Sequence, residues 1–277
     1  MVKALVLDCH DANDPFLILQ VPLLELLPEL RSFTTSPILP SQKSQELLIR
    51  TLVRYNPQLL HLGFCSALLQ DLWSFATIIG LTALPRLKSL SISGVDALTS
   101  NPSQAFRHLQ ELAIEEKTFV PGEFSKILQV FPPSLLCLRI ADCDDVPRDL
   151  ATRISEHCPN LRVLSLFRNT TDPASLQPVN TTEWPTLLKN LVCLFVSEDM
   201  VSPIEFLHLG SPLSRLVLCR VKGLSAFALI SLLYRVGMAK EGLHVSVVPS
   251  PDEAAYTLEE KAFITVRSLF VSLLLTR

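Results

Sequence analysis

Apolar residues recur along this chain in one local spacing: a first position, a second three residues on, and a third two residues after that. In Cys158-Pro159-Asn160-Leu161-Arg162-Val163-Leu164-Ser165-Leu166 the three are Leu161, Leu164 and Leu166. They do not share one helix face, but Leu164 and Leu166, two apart, share one face of an extended strand. The same frame fits Val2/Leu5/Leu7, Leu30/Phe33/Thr35, Leu59/Leu62/Phe64, Leu87/Leu90/Ile92 and Leu109/Leu112/Ile114. It continues in Leu135/Leu138/Ile140, Leu161/Leu164/Leu166, Leu191/Leu194/Val196 and Leu213/Leu216/Leu218. First positions lie 22 to 30 residues apart, and seven of the nine triads carry Leu at both first and second positions.

A short strand with L-x-x-L-x-L spacing, followed by a helix or loop and repeated about every 20–29 residues, is the unit of a leucine-rich repeat. The pattern predicts an α/β leucine-rich-repeat solenoid. Its parallel sheet is curved as in ribonuclease inhibitor, with helices and loops on the convex side. About nine to ten irregular repeats occupy 1–250, and 251–277 form a C-terminal capping helix. In Ser250-Pro251-Asp252-Glu253 a capping box with Pro at the first helical position starts that helix. Solenoid ends need such caps, because a terminal repeat otherwise shows its apolar face to water. The first strand, Lys3 to Asp8, has none before it. The expectation is a fragment of a longer protein, with a partner covering that end as the alternative.

Between the strands, helices are predicted where apolar residues return every three or four positions. Ser44 to Tyr55 puts Leu48, Leu52 and Tyr55 on one stripe and leaves Gln45, Arg50 and Arg54 to water. Ala67 to Ile79, Gly122 to Phe131, Pro147 to His157 and Leu224 to Met238 follow. In Pro147 to His157, Leu150, Ile154 and Cys158 fall at i, i+4 and i+8, and Pro147 occupies the tolerated first turn. Leu243 to Val247 alternates as a last strand.

Composition narrows the functional classes. Only 18% of residues are charged, net charge is −3 and the isoelectric point is about 6.1, so nothing marks a nucleic-acid partner. Phe263 to Leu275, the longest apolar tail, is interrupted by Arg267 and too short to span a bilayer; no membrane association is expected. Seven scattered cysteines form no disulfide framework, which points to a reducing cytoplasmic or nuclear setting. The sequons at Asn169 and Asn180 are then fortuitous.

No phosphate loop, dinucleotide fingerprint, nucleophile elbow or zincin motif occurs. Asp8-Cys9-His10-Asp11 is dense in reactive groups, but neighbours on a strand point to opposite faces and no second cluster completes a metal site. Asp142-Cys143-Asp144-Asp145 lacks the spacing of a calcium loop. No catalytic residue, cofactor or metal is expected, and the chain is read as a non-enzyme.

What remains is surface. Residues beside the inward positions of each strand face the concave side. Among them His61, Glu111, Glu115, Arg139, Phe167, Phe195 and Arg215 are the candidate partner-binding residues, since aromatic and Arg side chains are enriched at interface hot spots. The expected partner is a protein or peptide.

Three stretches resemble the cysteine-containing leucine-rich repeats of F-box proteins: Cys158 to Leu166, Asn56-Pro57-Gln58-Leu59, and Leu138-Arg139-Ile140-Ala141-Asp142-Cys143. The irregular intervals, long loops and proline before the first Leu are most similar to the divergent, fungal-type members. In that family an F-box docks on the Skp1-type adaptor of a cullin ubiquitin ligase, and the repeats select the substrate. Here a repeat strand stands where the F-box would, so the resemblance implies the substrate-reading half alone. A ribonuclease-inhibitor-type scaffold or adaptor unrelated to ubiquitination is the alternative, although its intervals are usually more regular.

Overall fold

A computed structural model describes residues 2–7, 22–35, 42–64, 80–93, 106–115, 123–130, 133–141, 149–167, 187–197, 214–221 and 244–249. The chain divides into two compact units, Met1–Pro147 and Arg148–Arg277. In the first, six strands pair in parallel, each with the next in sequence. They are β1 (Ala4–Leu7), β2 (Ser32–Thr35), β3 (His61–Phe64), β4 (Ser89–Ser93), β5 (Glu111–Glu115) and β6 (Cys137–Ala141). Helix α1 (Gln42–Tyr55) precedes β3, a 3-10 turn (Gly80–Ala83) precedes β4 and helix α2 (Glu123–Val130) precedes β6. In the second unit, helix α3 (Leu150–His157) leads into four parallel strands: β7 (Val163–Phe167), β8 (Cys193–Ser197), β9 (Arg215–Val221) and β10 (His244–Pro249).

The register follows the sequence frame. Second positions align as Leu5–Phe33–Leu62–Leu90–Leu112–Leu138, and third positions as Leu7–Thr35–Phe64–Ile92–Ile114–Ile140. In the second unit Leu164–Leu194–Leu216–Val245 and Leu166–Val196–Leu218–Val247 do the same. From β2 to β8 every one of these aligned residues is buried. A slip of one residue would turn each row to the opposite face, so burial of both rows fixes the pairing. Each buried Leu or Phe contributes about 1.5–3 kcal/mol, and because neighbours share rows, each repeat is stabilised chiefly by those beside it. This is the leucine-rich-repeat fold.

A tight turn sets each strand at the right height. The N–H of the first-position Leu donates to the carbonyl three residues earlier: Leu30 to Leu27, Leu59 to Asn56, Leu87 to Leu84, Leu109 to Phe106, Leu161 to Cys158 and Leu191 to Leu188. Ahead of β1 to β5, β7 and β8, one carbonyl then accepts two N–H groups from the next repeat. Arg31 accepts from Leu60 and His61, and Arg162 accepts from Val192 and Cys193. Pro57, Pro85 and Pro159 follow the accepting residue of their turns, where a fixed φ pre-forms the bend and no N–H is needed.

Several expectations need adjustment. Val2 is not a core residue: it is 46% exposed, and Leu5 and Leu7 are only half-buried, because β1 has a described neighbour on one side only. Helix α3 starts at Leu150, not at Pro147, which lies outside the described residues. Asp149 precedes it but makes no capping bond; its Oδ1 instead accepts from Arg153 Nε at 2.8 Å. The buried stripe Leu150, Ile154 and Cys158 is as read from the spacing. Helix α1 spans two residues more at its start and buries Leu48 and Leu52, with Arg50 and Arg54 exposed. The last strand extends to Pro249, where the register shifts as expected for a residue without an N–H. The helices predicted at 67–79 and 224–238, the cap at 251–277, both acidic clusters and both sequons lie outside the described residues.

Candidate functional site

Alternation along the strands sends the residues between the buried rows to the outer face of each sheet. In the first unit the rows are Ala4–Ser32–His61–Ser89–Glu111–Cys137 and Val6–Thr34–Gly63–Ser91–Ala113–Arg139. They are mostly small and polar. Gly63 is buried even here, because Thr34 lies over it; a Cβ at this position would come within 3.0 Å of the Thr34 methyl. The candidate residues do not gather into one group. His61 and Glu111 are both exposed but sit two strands apart, about 10 Å at ordinary strand spacing. Glu115 and Arg139 do meet, Oε1 to Nε 3.5 Å, as a surface ion pair.

The second unit gathers its candidates. Phe167 on β7 and Phe195 on β8 have ring centroids 6.5 Å apart at an interplanar angle of 50°, a tilted packing favoured by the ring quadrupoles. Arg215, first residue of β9, holds its guanidinium 5.7 Å from the Phe195 ring centroid, within reach of a cation–π attraction. Phe167 and Phe195 are half-buried, where full exposure was the expectation, while Arg215 is exposed. The reason is mutual cover: each ring shields its neighbour. Ser165, paired in register with Phe195, is buried on this same face.

Cys193, expected on the concave side but not counted among the candidate partner-binding residues, pairs in register with both Val163 and Arg215. Burial pushes its thiol up from the ordinary value, with the positive charge of Arg215 acting in the opposite direction. At neutral pH it is therefore an uncharged, partly covered thiol. The signal for its place was present, since Cys193 precedes the second-position Leu194 as Arg215 precedes Leu216.

Among the described residues no group of three or more His, Cys, Asp or Glu side chains is placed to hold a metal ion. No described helix is long and apolar enough to cross a membrane. Chemically, these faces offer an ion pair in one unit and a ring–ring–guanidinium cluster in the other.

No family profile matches the chain, and no curated protein shows significant similarity to it. Among solved structures it is similar to the leucine-rich-repeat-containing protein LegL7 from Legionella pneumophila, with a TM-score of 0.61 and 14% identity over 97% of this chain and 90% of that one. It also aligns with an internalin, inlF, from Listeria monocytogenes at a TM-score of 0.34 and 14% identity, covering 70% of this chain and 63% of that one. The first likeness supports the repeat fold; the second carries no argument.

Proposed function

We propose that this chain is a non-catalytic protein-recognition module that binds a protein or peptide through the outer face of its repeat strands. The observation that carries the reading is the Phe167–Phe195–Arg215 cluster. Two large rings and a guanidinium, partly desolvated on a rigid sheet, are the side-chain types that dominate interface energetics, and the sheet fixes them at little entropic cost. The repeat fold supports the same reading, since stacked strands present an extended surface to a partner.

The finer reading is that the module reads substrates for an F-box-like ubiquitin-ligase receptor in the cytoplasm or nucleus. It rests on the resemblance of the Cys158–Leu166 and Asn56–Leu59 turns to repeats of that family. In this reading residues 1–250 form the repeat domain, 251–277 close it, and docking on a Skp1-type adaptor falls to an F-box outside these repeats.

The test is to place a photo-crosslinking benzoylphenylalanine at position 167 and, as control, at exposed Glu156 on α3. Crosslinking to the same proteins in repeated trials from position 167 alone, with ligase substrates or subunits among them, is the expected outcome. Equal labelling from both positions would reject the face.

A further inference from the structure

Exposed basic residues accompany the aromatic pair of the second unit. Among the unit's described residues Arg162, Lys189 and Arg215 are exposed on turns and strand, while the described acids, Asp149 and Glu156, belong to the start and last turn of α3. Arg215 is exposed, and its one described side-chain contact of note is with the Phe195 ring. This contrasts with Arg139 in the first unit, which is paired with Glu115. Cys193 beside it is held as a neutral thiol by burial and so supplies no counter-ion. Glu198 and Asp199 lie outside the described residues.

An Arg held against an aromatic ring keeps its planar fork of N–H donors for an incoming oxyanion, and that fork matches a carboxylate in a bidentate pair. The rings next to it offer apolar area within one side chain's reach. Resting on the recognition reading above, we infer that the β7–β9 face takes an acidic peptide segment. Its Asp or Glu pairs with Arg215, while a neighbouring apolar side chain packs on Phe167 and Phe195. The basic charges of Arg162 and Lys189, both exposed, add attraction that salt screens.

The experiment selects short random peptides from a display library on the full chain, then measures the affinity of the enriched sequence by fluorescence polarisation. Its acid-to-amide analogue is measured beside it. Binding is compared for the native protein, Arg215→Ala, Arg215→Gln and the Phe167→Ala/Phe195→Ala double variant, each checked for native melting. The expected result is enrichment of an acid beside an apolar residue. Neutralising either the peptide acid or Arg215 should weaken binding about tenfold or more, and doing both should cost no more than either alone. Peptides without an acid, or acidic peptides indifferent to Arg215, overturn the proposed occupant. If the double Phe variant still abolishes their binding, the recognition face survives that failure. Enrichment of no peptide, or binding indifferent to all these residues, overturns both.

Discussion

Asn56 reaches back one full repeat: its Nδ2 donates to the carbonyl of Leu27 at 2.7 Å and to that of Leu24 at 3.3 Å. Its own carbonyl accepts from Leu59 in the turn before β3. A wholly buried amide thus stitches one turn to the preceding one where the other turns carry Leu84, Phe106, Cys158 and Leu188. Related links recur on the surface, from Asn190 Nδ2 to the Pro159 carbonyl at 2.9 Å and between Arg86 and Gln58.

Asn56→Ala is expected to lower stability by about 1–3 kcal/mol, because it removes a buried donor and opens a void. Asn56→Asp should cost more: it brings a charge and no donor to two carbonyl oxygens. Denaturant unfolding checks both, and an unchanged midpoint for the Ala variant would remove this role for the amide.

Thr35 occupies a third position held by Phe64, Ile92, Ile114 and Ile140 in the following repeats. It is fully buried and its Oγ1 has no hydrogen-bond partner among the described residues. Thr35→Val keeps the shape and deletes the orphaned hydroxyl, so a gain of about 1 kcal/mol is expected. A loss of stability on thermal melting would show that the hydroxyl is satisfied in solution.

Leu164 is fully buried and pairs in register with Leu194, and α3 lies just ahead in the chain. Leu164→Asp places an unpaired charge in that core and should cost well over the roughly 3 kcal/mol of an ordinary cavity substitution. Circular dichroism should show no cooperative transition in the second unit. A soluble variant that melts near the native temperature would contradict the packing.

Burial pushes the Cys158 thiol up from 9.0 to about 12. A thiol whose folded value is raised stabilises the fold fully below its unfolded value, and that contribution fades as pH rises from there towards the folded value. Between pH 8 and 10 the native chain should lose about 1 kcal/mol relative to Cys158→Ala, whose slope lacks this component. In the native protein iodoacetamide should spare Cys158 and alkylate half-exposed Cys137, as peptide-level mass spectrometry would show.

The frame of the repeats was legible because register and burial obey one rule: residues two apart on a strand face the same way. That rule took Leu138/Ile140 and Leu164/Leu166 directly from spacing to core. It failed at Val2, since triad spacing cannot tell whether a strand has a neighbour on both sides. The candidate face was half legible. Outward positions followed from alternation, but which of them meet depends on side-chain direction across strands. Glu115 finds Arg139 and Phe167 finds Phe195, whereas His61 and Glu111 remain apart. At the start of α3 the Asp149 side chain closes on Arg153 instead of capping the helix, which lowers the Asp149 carboxyl below its ordinary value; an ion pair four residues apart looks the same in sequence as an unpaired cap.

The most direct measurement is the dissociation constant of a purified crosslinked partner for the native chain and for Phe167→Ala/Phe195→Ala, by isothermal titration calorimetry. Both rings are half-buried on the outer face, so the double variant should keep a cooperative melt. If they are hot spots the constant should rise about thirtyfold, the equivalent of roughly 2 kcal/mol. A folded double variant that binds the partner with unchanged affinity would contradict recognition through this face.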